Sequence, residues 1–382
     1  MIFELTKQQE MVQALVREFA SNEVEPIAAE IDENESFPHA TIAKMAKIGL
    51  MGISIPEEYG GEGGNMTDTV IAIEELSKVC ASTGCILSTH TTLGSLPILE
   101  FGTEAQKQKY LIPLASGIHL GAFGLTEPNA GTDSAAQQTT AIKKDGYYLL
   151  NGSKIFITNG GVADTYIIFA MTNRAEGNRG ISTFIIPKDS SGFKIGTIEK
   201  KMGIRASQTA ELIFQDVKVP EENLLGEENR GFQIAMRALD IGRIGIASQA
   251  LGIAEGALSL AKQYVLDRVQ FGKPIASQQG LQWMIADMDT QVTAAKYLVY
   301  AAAAQKDQNK KITLAAAKAK LYASELAMNV TTKVVQLYGG YGYIRNYPVE
   351  RMMRDAKITE IYEGTSEVQR MVIARHVLKP RG

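Results

Sequence analysis

The first part of the chain has the apolar spacing of amphipathic helices. Thr6 and Gln9 have the spacing of a capping box at a helix start. The apolar residues behind them recur at helical intervals, at Val12, Leu15, Val16 and Phe19. Helical periodicity continues to about Gly117, interrupted by prolines and by the glycine cluster 60–64. That cluster lacks the Gly-Lys-Ser/Thr ending of a phosphate-binding loop, so we interpret it as a turn.

Residues from about 120 to 225 change to short β-branched and aromatic runs between glycines, prolines and polar clusters. The runs are 147–150, 166–169, 181–186 and 212–219. We expect the first to end in a turn at Asn151-Gly152. Because no long helical pattern separates the runs, they predict an antiparallel β-domain and not a Rossmann unit.

Helical periodicity returns from Gly231 onward. One continuous apolar stripe consists of Ile241, Ile244, Ala247, Leu251, Ala254 and Leu258. Alanine-rich segments near 294–304 and 314–327 favour close helix packing. The chain is therefore expected to be an α+β protein, with an N-terminal helical domain at 1–119, a middle antiparallel β-domain at 120–227 and a C-terminal helical domain at 228–382.

Composition narrows the class of protein. The 382 residues are 45% apolar and 21% charged, with a net charge of −3, so no basic surface is expected to attract nucleic acid. The small-apolar run 244–261 carries four polar residues, which predicts a buried helix and no membrane insertion. We expect no signal or transit peptide and a cytoplasmic location. The two cysteines and four histidines lack metal-ligand spacing, so no metal site is predicted.

A single carboxylate in the segment Ile361–Thr365 is a candidate general base. Glu363 lies between Tyr362 and Gly364, and an apolar wall could raise its pKa towards the value needed to abstract a carbon-bound proton. On propensity alone, a glutamate before a glycine is more often a solvated residue at a helix end. The pentapeptide by itself leaves both interpretations open.

Two segments of the β-region could hold a flat heteroaromatic ligand. Phe123–Asp133 offers hydroxyls, backbone amides and glycines on a loop, and Phe156–Gly161 offers an aromatic ring and a hydroxyl at a strand end. Taken alone, the first segment is more simply an ordinary polar turn, and the second a strand that runs into a turn.

Two segments of the helical C-terminal region could hold phosphate and adenosine groups. Asp267–Pro274 ends a long helix, and its Arg268 could bind a pyrophosphate or be a surface arginine. Gln336–Tyr343 clusters glycines and aromatic residues, which suits an adenosine site or a helix C-cap.

In this order and spacing, these segments resemble the acyl-CoA dehydrogenase family over essentially the whole chain. Residues 123–133 fit the first signature of that family, and 336–355 fit its second. Residues 239–254 and 358–367 look most like the short-chain (butyryl-CoA) branch. The resemblance implies that the C-terminal domain is a four-helix bundle and that the protein is a homotetramer, a dimer of dimers.

The resemblance also implies a reaction. An FAD-dependent oxidoreductase of this kind converts a short-chain acyl-CoA to the trans-2-enoyl-CoA and passes electrons to an electron-transferring flavoprotein. Glu363 matches the base that removes the α-proton while a hydride leaves the β-carbon for FAD. Its backbone amide and an FAD ribityl hydroxyl would polarise the thioester carbonyl. Some relatives carry the base on a helix near Asp240, at the position of Gly242; glycine there agrees with the assignment of Glu363.

Matching by position assigns the remaining site residues. The resemblance assigns the flavin to Phe123, Leu125, Thr126, Thr132, Phe156, Ile157, Thr158, Thr365 and Glu367. It assigns the pyrophosphate and adenosine part, across a subunit interface, to Arg268, Phe271, Gln279, Gln336, Gly339 and Gly340. It assigns the acyl-CoA thioester to Thr132, Asp240, Arg243 and Gly364. Many relatives have Trp where this chain has Phe156, and a phenyl ring can still cover a flavin face.

Two alternatives remain at this point. The same site could run as the enoyl-CoA reductase subunit of an electron-bifurcating complex with the flavoprotein in an anaerobe. A non-catalytic acyl-CoA-binding protein on the same fold would be expected to lack the base, and Glu363 argues against it.

Overall fold

A computed structural model describes residues 4–378, in which a mixed sheet lies between two helical regions. The helices before the sheet are α1 (Lys7–Phe19), α2 (Ala28–Glu33), α3 (His39–Lys47), α4 (Met66–Ser77), α5 (Ala81–Ser88), α6 (Leu96–Phe101), α7 (Glu104–Gln106) and α8 (Ile112–Ala115). The helices after it are α9 (Gly231–Asp267), α10 (Gln279–Asp307), α11 (Thr313–Tyr338), α12 (Val349–Thr359) and α13 (Ser366–Val377). The α+β fold class is thereby confirmed.

The first helix begins where its sequence predicts, and only part of its set of apolar side chains is buried. Thr6 and Gln9 form a reciprocal capping box at the start of α1. Val16 and Phe19 are buried, whereas Leu15 is 46% exposed. The helical spacing is confirmed, and the buried face of α1 is narrower than its set of apolar residues.

Eight strands form the central sheet in the order β6-β7-β3-β2-β4-β5-β8, with β1 paired to β4. The strands are β1 (Gly121–Gly124), β2 (Thr140–Lys143), β3 (Tyr147–Thr158), β4 (Thr165–Met171), β5 (Ile181–Pro187), β6 (Phe193–Ile198), β7 (Thr209–Pro220) and β8 (Leu224–Leu225). Most pairs are antiparallel, as predicted, but β4 pairs in parallel with both β1 and β2. The sheet is therefore antiparallel-rich, with two parallel pairings that the sequence did not predict.

The expected turn at Asn151-Gly152 is also absent from the sheet. Strand β3 runs through both residues and shifts register against β7 between Leu150 and Gly152. The Asn151 side chain donates to Asp216 Oδ1 at 3.0 Å and accepts from the Asp216 backbone N–H at 2.8 Å. This reciprocal pair stabilises a β-bulge, so a turn-forming dipeptide bends the strand without ending it.

The long helix α9 is the centre of the helical core. Every residue of the predicted stripe from Ile241 to Leu258 is buried. A side chain at Gly252 would overlap the backbone of Glu74 in α4, and one at Gly256 that of Lys78 just after it, so glycine lets these helices approach closely. By length and composition α9 is the one described helix that could span a membrane, and 83% of its apolar window is buried within the protein. That burial is typical of a core helix.

A buried polar cluster joins the two helical regions next to this contact. Glu74 on α4 is fully buried and accepts from Lys296 Nζ and Tyr300 Oη on α10, both at 2.8 Å. Burial raises the pKa of Glu74 to about 7. Lys296 Nζ also donates to Glu255 Oε1 on α9 at 3.0 Å. The network therefore links α4, α9 and α10, because separating these helices would leave buried polar groups with fewer partners.

Candidate active site

Glu363 lies on the six-residue connection between α12 and α13. Its backbone has φ +51°, and Gly364 follows with φ +93°. A positive φ is unfavourable for a residue with a side chain and is maintained only by surrounding contacts. The Thr365 side chain caps α13 by accepting from Val368 N–H at 3.3 Å, and Ser366 N–H donates to Glu360 O at 2.9 Å. These bonds fix both ends of the connection.

Two side chains hold the carbonyl group that follows Glu363. Lys320 Nζ on α11 and Gln369 Nε2 on α13 both donate to Gly364 O at 2.8 Å. Gln369 Nε2 also approaches Glu363 O at 3.4 Å. The main chain at Glu363 and Gly364 is therefore clamped from two helices.

The Glu363 carboxylate is buried and incompletely compensated. Oε2 has no hydrogen-bond partner among residues 4–378. A Cβ at Gly242 on α9 would overlap this oxygen, so glycine makes room for the carboxylate. Burial raises the pKa of Glu363 to about 7, against the opposing charges of Lys320 and Arg243. A carboxyl with this pKa is partly ionised near neutral pH and can accept a proton from a weak acid.

Tyr362, the residue before Glu363, is hydrogen-bonded to the long helix α9. The Tyr362 hydroxyl donates to Gln249 Oε1 on α9, and Gln249 Nε2 donates to Ala81 O on α5 at 2.9 Å. Gln249 is fully buried. A hydrogen-bonded wall therefore lies one residue from the candidate base.

Asp240 and Arg243 lie on α9, about two turns before Gln249. Arg243 Nη1 donates to Asp240 Oδ1 at 2.7 Å, and Thr313 Oγ1 at the start of α11 donates to Asp240 Oδ2 at 2.5 Å. Arg243 is 6% exposed, and its Nε has no partner in the part of the chain that the structure describes. The buried Nε leaves one donor for a ligand acceptor.

The loop after β1 is organised by a buried ion pair. Lys154 on β3 is fully buried, and its Nζ donates to Glu127 Oε1 at 2.7 Å, Gln137 Oε1 at 3.0 Å and Leu125 O at 3.1 Å. Burial raises the pKa of Glu127, but Lys154 and backbone donors bring it below its usual value. Phe123 and Leu125 are buried, and Thr126 is partly exposed. Lys154 thus determines the conformation of the loop from within.

The end of β3 presents an aromatic ring outwards. Phe156 has φ +59° and is 61% exposed. Ile157 is buried and Thr158 is half-buried. The register of β3 against β7 shifts between Lys154 and Ile157, and such an irregularity redirects side chains at a strand end. A large exposed ring beside a hydroxyl can cover a flat ligand.

Part of the predicted phosphate and adenosine set lines a separate cavity. Arg268, Gly339 and Gly340 surround about 380 Å³ between the ends of α9 and α11. The Arg268 guanidinium lies 5.4 Å from the centroid of the Tyr341 ring. Phe271 is 93% exposed on a hairpin formed by β9 (Val269–Gln270) and β10 (Lys273–Pro274). The structure therefore brings Arg268, Gly339 and Gly340 together around one cavity, whose lining does not include Phe271.

Other residues from the resemblance lie at the surface or serve the local fold. Thr132, Gln279, Gln336 and Glu367 are exposed, outside the cavity described above. Thr365 is the N-cap of α13. The roles of all these side chains towards a ligand stay predictions.

Sequence reasoning missed several residues of this region. No sequence motif pointed to Lys320, Lys154 or Thr313. Gln249 was noted only as one of the polar residues in the small-apolar run. Lys320 did offer a signal, because it lies in the buried alanine face of α11 with Ala316 and Ala323. A lysine on such a face must bind a specific partner.

Comparisons with known proteins agree with this arrangement. Three models match the chain: the N-terminal, middle and C-terminal domains of acyl-CoA dehydrogenase, over residues 6–118, 122–217 and 229–378. The short-chain specific acyl-CoA dehydrogenase of Clostridium acetobutylicum is 61% identical over 99% of this chain and 100% of its own length.

Two solved structures share the whole fold. Butyryl-CoA dehydrogenase from Megasphaera elsdenii is 52% identical with a TM-score of 0.98, covering 99% of this chain and 100% of that one. A chain from work on the electron transferring flavoprotein of Acidaminococcus fermentans, towards a mechanism of flavin-based electron bifurcation, is 55% identical with the same TM-score and coverage. The chain belongs to the acyl-CoA dehydrogenase family.

Proposed function

We propose that this protein is an FAD-dependent short-chain acyl-CoA dehydrogenase that passes electrons to an electron-transferring flavoprotein. The observation that carries the proposal is the Glu363 carboxylate, buried against Gly242 with Oε2 lacking a hydrogen-bond partner among the described residues. A structural glutamate in such a position would be paired.

Glu363 acts as the base for the α-proton of the acyl thioester. An unperturbed carboxylate is too weak a base for this proton. Burial brings the pKa of Glu363 to about 7, and an acyl chain that excludes the remaining water would raise it further. The acid form of Glu363 is inactive, so activity rises with pH through this pKa.

The substrate must be made more acidic as well. The backbone N–H of Glu363 polarises the thioester carbonyl in the proposed complex, as an oxyanion hole does. Asp240 and Arg243 bind the CoA side of the thioester, with the Arg243 Nε available as a donor. Thr313 keeps Asp240 oriented.

The residues present fit FAD. Bound FAD supplies the hydride acceptor for the β-carbon. Phe156 offers an exposed ring, Thr158 a hydroxyl beside it, and the loop from Phe123 is held rigid by Lys154. Arg268 with Gly339 and Gly340 offers a guanidinium in a cavity that suits the phosphate and adenosine part.

The positions of Tyr362 and Gln249 favour a substrate with a short acyl chain. Their hydrogen bond lies next to the base and is anchored to α5 through Ala81. An acyl chain long enough to pass these two residues would have to break their buried hydrogen bond and leave polar groups without partners. The wall therefore favours a butyryl chain over longer ones.

The proposed reaction can be tested on the purified protein. Under anaerobic conditions, butyryl-CoA should bleach the visible flavin absorbance fastest, with octanoyl-CoA about tenfold or more slower and palmitoyl-CoA slower again. Bleaching that is fastest with palmitoyl-CoA would contradict the short-chain assignment. No bleaching by any of the three would contradict the reaction itself.

The second candidate runs the same chemistry in reverse. The chain solved in work on flavin-based electron bifurcation matches this protein along its whole length, which favours an enoyl-CoA reductase coupled to an electron-transferring flavoprotein. NADH-dependent reduction of crotonyl-CoA that requires that flavoprotein would support this direction. Glu363 serves both directions, because the carboxylate that accepts the α-proton in the dehydrogenation donates a proton to the same carbon in the reduction.

A homotetramer, a dimer of dimers, is part of the same proposal. Phe271 and Tyr343 are 93% and 86% exposed, and large exposed aromatic side chains are typical of interfaces. Sedimentation equilibrium would measure the assembly. A cytoplasmic location stays a prediction.

Replacing Arg268 tests the pyrophosphate role. Arg268→Ala should weaken FAD binding by about 10- to 100-fold, since a hydrogen bond to a charged group contributes about 1.5–3 kcal/mol. The flavin-to-protein absorbance ratio after gel filtration measures the effect. Arg179→Ala is the control, because Arg179 is exposed and, among residues 4–378, forms an ion pair with the nearby Glu176 alone. An unchanged ratio for Arg268→Ala would remove this role.

A further inference from the structure

Lys320 is a buried cation directly behind the base. Its side chain on α11 is fully buried, and burial lowers the pKa of Lys320 to about 8 despite the opposing effect of Glu363. Its Nζ donates to Gly364 O at 2.8 Å, and no carboxylate among residues 4–378 forms an ion pair with it. A buried ammonium group without a paired carboxylate needs another reason for its position.

One reason is the conformation of the main chain. Glu363 and Gly364 both have positive φ, and Glu363 tolerates this only because neighbouring contacts enforce it. Lys320 and Gln369 converge on the same carbonyl from two helices. Removing either donor would leave this half-buried carbonyl with one partner fewer and loosen the connection.

The other reason is charge. Burial raises the pKa of Glu363, and Lys320 is the largest opposing influence, ahead of Arg243 on α9. The ionisable groups that face this pair on the neighbouring elements are Arg243, Cys85, Glu360, Tyr362 and Glu367. Arg243 already pairs with Asp240, and Lys320 has the larger effect of the two cations on the Glu363 carboxyl.

We propose that Lys320 is a positioning residue for the base: it holds the Glu363-Gly364 main chain and supplies a positive charge that favours the ionised Glu363 carboxylate near neutral pH. The inference rests on the proposed dehydrogenase function. It assigns Lys320 no direct contact with the substrate.

The test separates the charge of Lys320 from its structural contribution. Lys320→Met removes charge and donor, Lys320→Gln keeps a donor without charge, and Lys320→Arg keeps both. Lys318→Met is the matched control, since Lys318 is exposed on the same helix. For each variant, the anaerobic rate of flavin bleaching by butyryl-CoA is measured from pH 5 to 9, with FAD content and thermal midpoint.

Loss of the cation raises the pKa of Glu363, so the acidic limb of the rate profile moves to higher pH. An opposite charge nearby shifts a carboxyl pKa by about 1–3 units. Lys320→Met and Lys320→Gln should therefore shift the limb upward by about one unit or more. Relative to wild type, they should lose at least about tenfold more rate at pH 5.5 than at pH 9. Lys320→Arg and Lys318→Met should keep the wild-type limb.

A purely structural lysine would give a different result. Substituting such a lysine would lower the bleaching rate by the same factor at every pH, and would also lower the FAD content or the thermal midpoint. That outcome would overturn the proposal. Failure of both neutral variants to fold would also count against it, because Lys320 would then be needed for the fold itself. A wild-type protein that no acyl-CoA bleaches would refute the dehydrogenase function instead.

Discussion

Glu363→Gln should bind FAD and butyryl-CoA normally and lose at least ~10²–10⁴-fold in turnover, the usual contribution of a general base. The amide has the shape of the carboxylate but cannot accept the α-proton. Because Oε2 has no hydrogen-bond partner among the described residues, the substitution breaks no hydrogen bond of that oxygen to them. The fold and the binding of both ligands should therefore survive.

Steady-state turnover with an electron acceptor measures the loss of activity. Perturbation of the flavin spectrum on adding butyryl-CoA, without bleaching, measures retained binding. Glu360→Gln is the control from the same connection, because the Glu360 side chain forms an ion pair with Lys357 at 2.7 Å. Turnover of Glu363→Gln within about threefold of wild type would refute its role as the base.

Lys154→Met should give the largest loss of stability. The substitution leaves Glu127, which is 3% exposed, as a buried carboxylate without its cation. Breaking a buried pair by removing one partner costs roughly 3–5 kcal/mol. The loop from Phe123 to Asp133 should loosen, so FAD should dissociate during gel filtration and the thermal midpoint should fall.

A second substitution distinguishes the unpaired charge from lost packing. Lys154→Met with Glu127→Gln removes both charges and should recover part of the thermal midpoint, because no ion stays buried alone. Lys143→Met on the neighbouring strand is the surface control, with its side chain 53% exposed. Equal midpoints for Lys154→Met and Lys143→Met would show that the buried pair is unimportant.

Local pattern predicted most of the elements because helices and strands of this fold carry clear periodicity. The capping box at Thr6 and the stripe on α9 appear as predicted. The prediction at Asn151-Gly152 was wrong, because two side chains across the sheet stabilise a bulge that local sequence does not show. Parallel pairing of β4 was missed because pairing direction depends on how the chain crosses between strands.

The sequence by itself determined the family, the three regions, and Glu363 as the candidate base with glycine at position 242. Those properties depend on residue type and order. Only the tertiary structure placed the Glu363 carboxylate against Gly242, Lys320 behind it and the Tyr362–Gln249 wall beside it. Burial and distance between residues far apart in the chain determine a pKa, and these exist only once the helices have packed.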